Sequence, residues 1–369
     1  MCAEGEMKAL RRIWLVGVGV VVSVMPSVAA QARPYTLFYM DGSQAAKTSF
    51  AAHAAKIDVL VPTWYTVDAD GLVGGGPDEP VMQVARRNGV EVMPIVALFD
   101  MKAFHRLATN SAAQAEMNAA MVRESKAHGY SGFQFDFEHI AWTDRDLLSE
   151  MVARSADAMH KAGLKLTIAT VPNAPGYVTS KDGRDGFEAW MFREWRGAYD
   201  LAALSKSADL ICLMTYDQHT RWTMPGPVAG WRWTQENLEY ALKVVPKEKL
   251  LLGIPLYGAH WYARAPTVTD TSETPNEGGD EISTAAVMAL ADEYNGGKVS
   301  WDVEDHTPYF YFYREQMREW VYFTNARAFE DRVKLAEQSG VKGICAWVLG
   351  DEDPAIWSEL PEHAGASEK

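Results

Sequence analysis

Eight short runs of apolar, β-branched and aromatic residues recur along the chain, and segments of helical periodicity separate them. The runs are YTLFYM (35–40), IDVLVPTWY (57–65), VEVMPIVAL (90–98), SGFQFDFE (131–138), LKLTIATV (164–171), DLICLMTY (209–216), KLLLGIPLY (249–257) and VKGICAWVL (341–349). Their lengths, and the Gly, Asp and Pro residues at their ends, mark strands and not helix fragments. Stretches such as AAQAEMNAAMVRESKAHG and DRDLLSEMVARSADAMHKAG between them combine helix formers with a glycine stop. Eight strands alternating with helices predict an α/β fold, a parallel sheet closed into a (β/α)8 TIM barrel. An open doubly wound sheet would carry a Gly-rich phosphate turn after an early strand, whereas the first run here leads into YMDGSQ. The GLVGGGP run (71–77) reads as a loop, since no strand–turn–helix context with a Lys surrounds it.

One interval breaks the rhythm. Between the seventh and eighth runs, residues 259–322 hold a polar stretch (APTVTDTSETPNEGGDE), a helical pattern (STAAVMALADEYNGG) and an alternating segment that reads as a hairpin. This predicts a small α+β insertion standing on the barrel's C-terminal face as one wall of a groove. At the N-terminus, Lys8, Arg11 and Arg12 precede the apolar run Ile13–Val24 and small residues at Ala30 and Ala32. That pattern predicts a cleaved signal peptide over 1–32, with the barrel occupying 33–369 and the mature protein exported to the periplasm or secreted. The apolar run falls short of the roughly 20 residues that span a bilayer, so no membrane span is expected after cleavage.

A chain of 369 residues that is 48% hydrophobic can build a large core, and its formal net charge of −14 disfavours a nucleic-acid partner. After the signal only Cys212 and Cys345 remain, both inside apolar runs, so a disulfide scaffold is excluded while a single bridge between them stays open. Neither cysteine sits in a nucleophile context, and GxSxG is absent. His139, His219 and His260 follow strand ends without the spacing of a metal site, so no metal and no cofactor is expected. Trp190, Trp195, Trp222, Trp231, Trp233 and Trp261 are placed in loops beyond the strands, where stacking on sugar rings competes with local packing.

The fourth run carries the chemistry. In YSGFQFDFEHI, Gln134, Asp136 and Glu138 fall on one face of a strand and Phe133, Phe135 and Phe137 on the other. The phenylalanines must pack against helices, so the polar set points into the barrel, where an unpaired carboxylate is costly. Active sites of such barrels form at the C-terminal strand ends, where Asp136 and Glu138, Tyr216 and Asp217, and Trp347 all lie. Two crowded carboxyls resist double ionisation, so Glu138 at the mouth is suited to hold a proton above an ionised Asp136, an arrangement fit for cleaving a glycosidic bond.

GFQFDFE, followed by LMTYD (213–217), GIPLYG (253–258) and GICAWVLGDEDPAIW (343–357), resembles the family 18 glycoside hydrolases in order over nearly the whole mature chain. That family includes chitinases, chitobiases and enzymes cutting peptidoglycan-type glycans, and TWYTVDADG (63–71) resembles its spore-wall branch. The resemblance implies a retaining hydrolase of β-1,4 bonds in N-acetylglucosamine-containing oligo- or polysaccharides, in which the sugar's own 2-acetamido oxygen attacks C1. It implies that Glu138 is general acid and then base, that Asp136 accepts the acetamido N–H, and that the Tyr216 hydroxyl holds the acetamido oxygen. Trp347 is the implied floor beneath that sugar, with Met214, Asp217, Tyr39 and Tyr257 lining the pocket. Where the family has Asp, this chain has Ser131, a position expected to hydrogen-bond nearby backbone; where it has Asp or Asn, this chain has Gln134. Gln134 is expected to donate to Asp136 without exchanging a proton, leaving Asp136 ionised throughout. A carbohydrate-binding protein on the same scaffold is the alternative.

Overall fold

The computed structural model describes residues 33–174, 186–264 and 276–362; the expected signal peptide, 1–32, lies outside the described residues. Strand β1 (Tyr35–Met40) is followed by β2 (Val59–Pro62), a short hairpin of β3 (Tyr65–Val67) and β4 (Val73–Gly75), then β5 (Glu91–Val92) and β6 (Ile95–Leu98). Next come β7 (Gly132–Phe137), β8 (Lys165–Thr170), β9 (Leu210–Leu213) and β10 (Leu250–Pro255). The chain then adds β11 (Gly258–Arg264), β12 (Asn276–Ile282), β13 (Ser300–Asp302), β14 (Thr307–Arg314) and β15 (Met317–Phe323) before β16 (Gly343–Trp347). The main sheet runs β6-β7-β8-β9-β10-β16-β1-β2-β5 in spatial order, with these neighbours parallel and the β3–β4 hairpin beside β6.

Closure of this sheet depends on the third run. Pro94 interrupts it, because a residue without an N–H cannot sit inside a ladder undisturbed. Its first piece, β5, pairs with β2, and its second, β6, pairs with β7. Ser131 N–H donates to the Val92 carbonyl at 3.0 Å and Gln134 N–H to the Pro94 carbonyl at 2.9 Å, which ties both pieces to the fourth barrel strand. One broken strand thus joins the two ends of the sheet into an eight-stranded barrel.

Strand alternation divides the core in two. Leu37, Tyr39, Val59, Val61, Ile95, Cys212, Leu251 and Cys345 fill the barrel interior. Phe38, Leu60, Val96, Phe133, Phe135, Phe137, Ile211 and Leu252 point outward into the helical layer. The helix Ser111–His128 stops at Gly129, whose φ of +77° turns the chain sharply toward β7.

The second sheet, in the order β12-β11-β15-β14-β13, is antiparallel and comes wholly from the segment between β10 and β16. The helix Thr284–Asn295 seals one of its faces with Val287 and Ala291 against Phe310, Phe312, Val321 and Phe323. The end of the polar stretch forms β12, although residues such as Gly278 and Gly279 have poor strand propensity; pairing along the edge of β11 decides the matter. GLVGGGP differs from its reading as a loop for the same reason, since Val73–Gly75 pairs with Tyr65–Val67.

Phe135 is fully buried between sheet and helices, its ring centroid 4.5 Å from that of Phe137. Phe135→Ala is expected to destabilise the protein by about 3–5 kcal/mol. Chemical denaturation checks this; a loss below about 1 kcal/mol means that the outer layer collapses into the gap.

Candidate active site

The site is assembled from strand ends. β7 presents Gln134 and Asp136 inward, level with Ile95 and Ala97 of β6, and Glu138 follows its last residue with its N–H bonded to the Leu98 carbonyl at 3.1 Å. After β9 the chain carries Met214 and Tyr216 into the interior cluster and turns at Asp217, whose φ is +58°. Tyr257 follows β10 and donates its hydroxyl hydrogen to the Asp217 carboxylate. Trp347 ends β16; its carbonyl accepts from Leu256 N–H at 2.6 Å, and its ring lies 5.3 Å from that of Tyr39. Tyr39, Met214, Tyr216 and Tyr257 therefore meet in one cluster with Trp347 packed against it, which brings together the residues that the family resemblance names.

Most buried polar atoms in proteins are hydrogen-bonded. Here Tyr39 Oη, Gln134 Oε1, Asp136 Oδ1 and Tyr216 Oη are all buried, with no hydrogen-bond partner among the described residues. Tyr39 and Tyr216 both lie near Asp136, and their three unpartnered atoms make a cradle for a polar ligand, with Gln134 one inward position deeper.

The electrostatics follow from burial. Asp136 is 7% exposed, and loss of water pushes its carboxyl up to about 7. Glu138 is pushed well above the carboxylate range, first by burial and then by Asp136 and Asp217. Asp217 is also raised by the protein around it, an effect that the Tyr257 hydrogen bond opposes. Burial thus raises both carboxyls of the pair, and they titrate together.

Two expectations need correction. Gln134 does not donate to Asp136: its amide nitrogen donates to Thr167 Oγ1 at 3.1 Å and to Cys212 Sγ at 3.2 Å. Nor does Gln134 help to ionise Asp136: burial pushes that carboxyl up to about 7, and among the described residues no donor satisfies its buried Oδ1. The Ser131 hydroxyl does bond to backbone, donating to the Val92 carbonyl at 3.3 Å. Cys212 and Cys345 are free thiols in mutual contact beneath the site, and burial raises the Cys345 thiol.

Several residues escaped the sequence reading. Tyr199 is buried, and its hydroxyl donates to the Phe137 carbonyl at 2.6 Å, fixing the end of β7 directly before Glu138. Glu281, on β12 of the insertion, accepts from the Trp347 indole; burial, then Asp217 and Asp351, push it up to about 7. No local pattern announces either, because both act across the fold. His139 adopts a φ of +54°, stacks on Trp195 at 5.0 Å and lies 3.3 Å from Glu194. Trp231 and Trp233 belong to the helix Trp231–Leu242, and Trp261 is a buried residue of β11, so these three are not loop residues. Trp222 is 75% exposed in the loop after β9. Buried His260 pairs with Glu319 at 2.7 Å on the far face of the insertion sheet.

Residues 36–353 match the model of "Glycosyl hydrolases family 18". The chain belongs to glycosyl hydrolase family 18. It is an enzyme family acting on glycosidic bonds, and membership supports a glycan containing N-acetylglucosamine as the substrate class. The "Uncharacterized glycosylase YvbX" of Bacillus subtilis (strain 168) is 22% identical over 94% of this chain and 98% of its own length. The "Cortical fragment-lytic enzyme" of the same organism is 26% identical over 68% of this chain, which spans 53% of that protein. Among solved structures, the chitinase from Chromobacterium violaceum ATCC 12472 superposes with a TM-score of 0.76 at 26% identity, covering 88% of this chain and 97% of that one. The family 18 barrel and its insertion agree with the architecture read from the strand alternation.

A buried carboxyl raised toward 7 makes folding pH-dependent. Between the ordinary carboxylate range and about 7, the native state binds more protons than the unfolded chain, so stability falls as pH rises through that window. Asp136→Asn removes this effect and is expected to stabilise the protein at pH 8 on the order of 2–4 kcal/mol, with the gain vanishing near pH 4. Denaturation series of both proteins across pH check it; a gain that is independent of pH contradicts it.

Proposed function

We propose that the protein is a retaining, substrate-assisted glycosidase that cleaves β-1,4 bonds next to N-acetylglucosamine. The observation that carries this reading is the cradle of Tyr39, Asp136 and Tyr216 atoms, unpartnered among the described residues, beside Trp347, with Glu138, a carboxyl raised by burial, at its rim. Glu138 donates its proton to the leaving glycosidic oxygen. The 2-acetamido oxygen of the sugar above Trp347 attacks C1, and the C1–O bond breaks. Asp136, ionised in the productive state, accepts the acetamido N–H and balances the charge that develops on the ring. The Tyr216 hydroxyl, which has no protein acceptor to satisfy, donates to the acetamido oxygen. Glu138, now a carboxylate, takes a proton from water, which opens the oxazolinium intermediate with net retention.

Gln134 changes how the proton of Asp136 is managed. Its amide nitrogen is committed to Thr167 and Cys212, and an amide cannot accept the proton of a neighbouring acid. Asp136 must therefore reach its ionised state on its own or against Glu138. The N-terminal pattern over 1–32 supports export, so the substrate is placed outside the cytoplasm.

Glu138→Gln is expected to lower hydrolysis of a fluorogenic N-acetylglucosamine oligomer by two to four orders of magnitude. If wild type and variant both bind glycan and neither cleaves it, the protein is a carbohydrate binder on this scaffold. Because Asp136 is raised to about 7, kcat/KM is expected to fall as pH drops below about 7. An acid limb near pH 4 would count against the role given to Asp136.

A further inference from the structure

The insertion sheet has two unlike faces. One is sealed by its helix. On the other, Tyr309, Tyr311 and Tyr313 of β14 lie directly opposite Tyr322, Trp320 and Arg318 of β15. At its root this face joins the barrel, because Trp320 and Tyr322 pack, as Trp347 does, against the interior cluster that contains Tyr216 and Tyr257. At its tip it opens to solvent, with Tyr311 46% and Tyr313 57% exposed. From Tyr322 to Arg318 the strand advances about 13 Å, at roughly 3.3 Å per residue. An aromatic surface therefore leads from the active site outward.

Arg318 sits among these rings. Its guanidinium carbon is 5.1 Å from the Tyr311 ring centre, 5.4 Å from that of Tyr313 and 5.6 Å from that of Trp320. Nε and Nη2 donate to Tyr313 Oη at 3.0 and 2.8 Å. Among the described residues no carboxylate pairs with it, although the chain carries 49 acidic residues against 35 basic ones. Nearby Arg314 is matched to Glu319 at 2.8 and 3.0 Å. A guanidinium held in place by aromatic rings, with N–H donors to spare and no counter-ion, has the chemistry of a carboxylate receptor.

We infer that this face is a glycan-binding surface beyond the catalytic pocket, specific for strands whose sugars carry carboxylate-bearing substituents. Sugar rings lie on Tyr311 and Trp320, and a carboxylate engages Arg318. The inference rests on the hydrolase reading and narrows it from neutral chitin-type chains to peptidoglycan-type chains. The carboxylate has two possible sources, the peptide stems of peptidoglycan or the lactyl group of its muramic acid once the peptides are removed.

The test uses the full chain with Glu138→Gln as background, so binding is read without cleavage. Co-sedimentation with intact peptidoglycan, with amidase-treated peptidoglycan lacking peptides, and with chitin is compared for that protein and for the same protein carrying Arg318→Met. Arg318→Met is expected to weaken binding to intact peptidoglycan, to the peptide-free glycan or to both by about tenfold, the effect of one charge-assisted contact, and to change chitin binding less than about twofold. Loss on intact material alone assigns the carboxylate to the peptide; loss on the stripped glycan assigns it to the lactyl group. Unchanged binding to both, or an equal loss on chitin, overturns the inference. Thermal unfolding of the Arg318→Met protein with a midpoint close to that of its parent shows that the variant folds. If wild type cleaves nothing, the hydrolase reading fails, while the contrast between peptidoglycan and chitin still decides the role of Arg318.

Discussion

The structure turns on the packing of three phenylalanines. Phe133, Phe135 and Phe137 are fully buried in the outer layer between barrel and helices, and a strand cannot send them outward without sending their alternate neighbours inward. Gln134 and Asp136 are therefore forced into the barrel, and a slip of one residue would place three aromatic rings inside it. The hydrophobic layer on one side of β7 thus holds an acid in a place it would not otherwise occupy. Tyr199 completes the arrangement by fixing the Phe137 carbonyl, so the chain leaves the strand with Glu138 aimed at the mouth.

That forced burial sets the chemistry. An unpartnered carboxyl away from water holds its proton, and both Asp136 and Glu138 are raised for this reason before any mutual repulsion is counted. Among the described residues the Tyr39, Asp136 and Tyr216 atoms find no hydrogen-bond partner, so the fold itself does not replace the hydrogen bonds that solvent supplied in the unfolded chain. A substrate that offers an amide N–H and an amide oxygen satisfies what the fold leaves unsatisfied. Stability and function are opposed at these atoms, and the large double-layered core is what lets the fold tolerate them.

The sequence made the barrel legible because every one of the eight runs obeys local rules of alternation, length and termination. The positions of Asp136, Tyr216 and Trp347 followed, since strand-end placement and face parity are local properties. The partners of Gln134 were not legible. Parity correctly sent its side chain inward, but Thr167 and Cys212 stand on two other strands, and their reach depends on register and barrel curvature. How far burial raises Asp136 was equally out of reach, because a motif states which acids are adjacent and is silent on how much water each retains. Glu281 and Tyr199 were invisible for a related reason: each reaches the site from an element far along the chain.

Glu281 of β12 bonds to the Trp347 indole, so the second sheet is coupled to the floor of the pocket and is more than a wall beside it. On the same face as Glu281, Ala259 of β11 lies opposite both Glu281 and Tyr322, which continues the aromatic surface from the pocket toward Arg318. The sheet is thereby anchored by one face to its own helix and by the root of the other to Trp347 and the barrel interior. A two-layer element of that kind holds Arg318 at a fixed distance from the carboxyls of β7, so the spacing between them is a property of the fold and not of a loop.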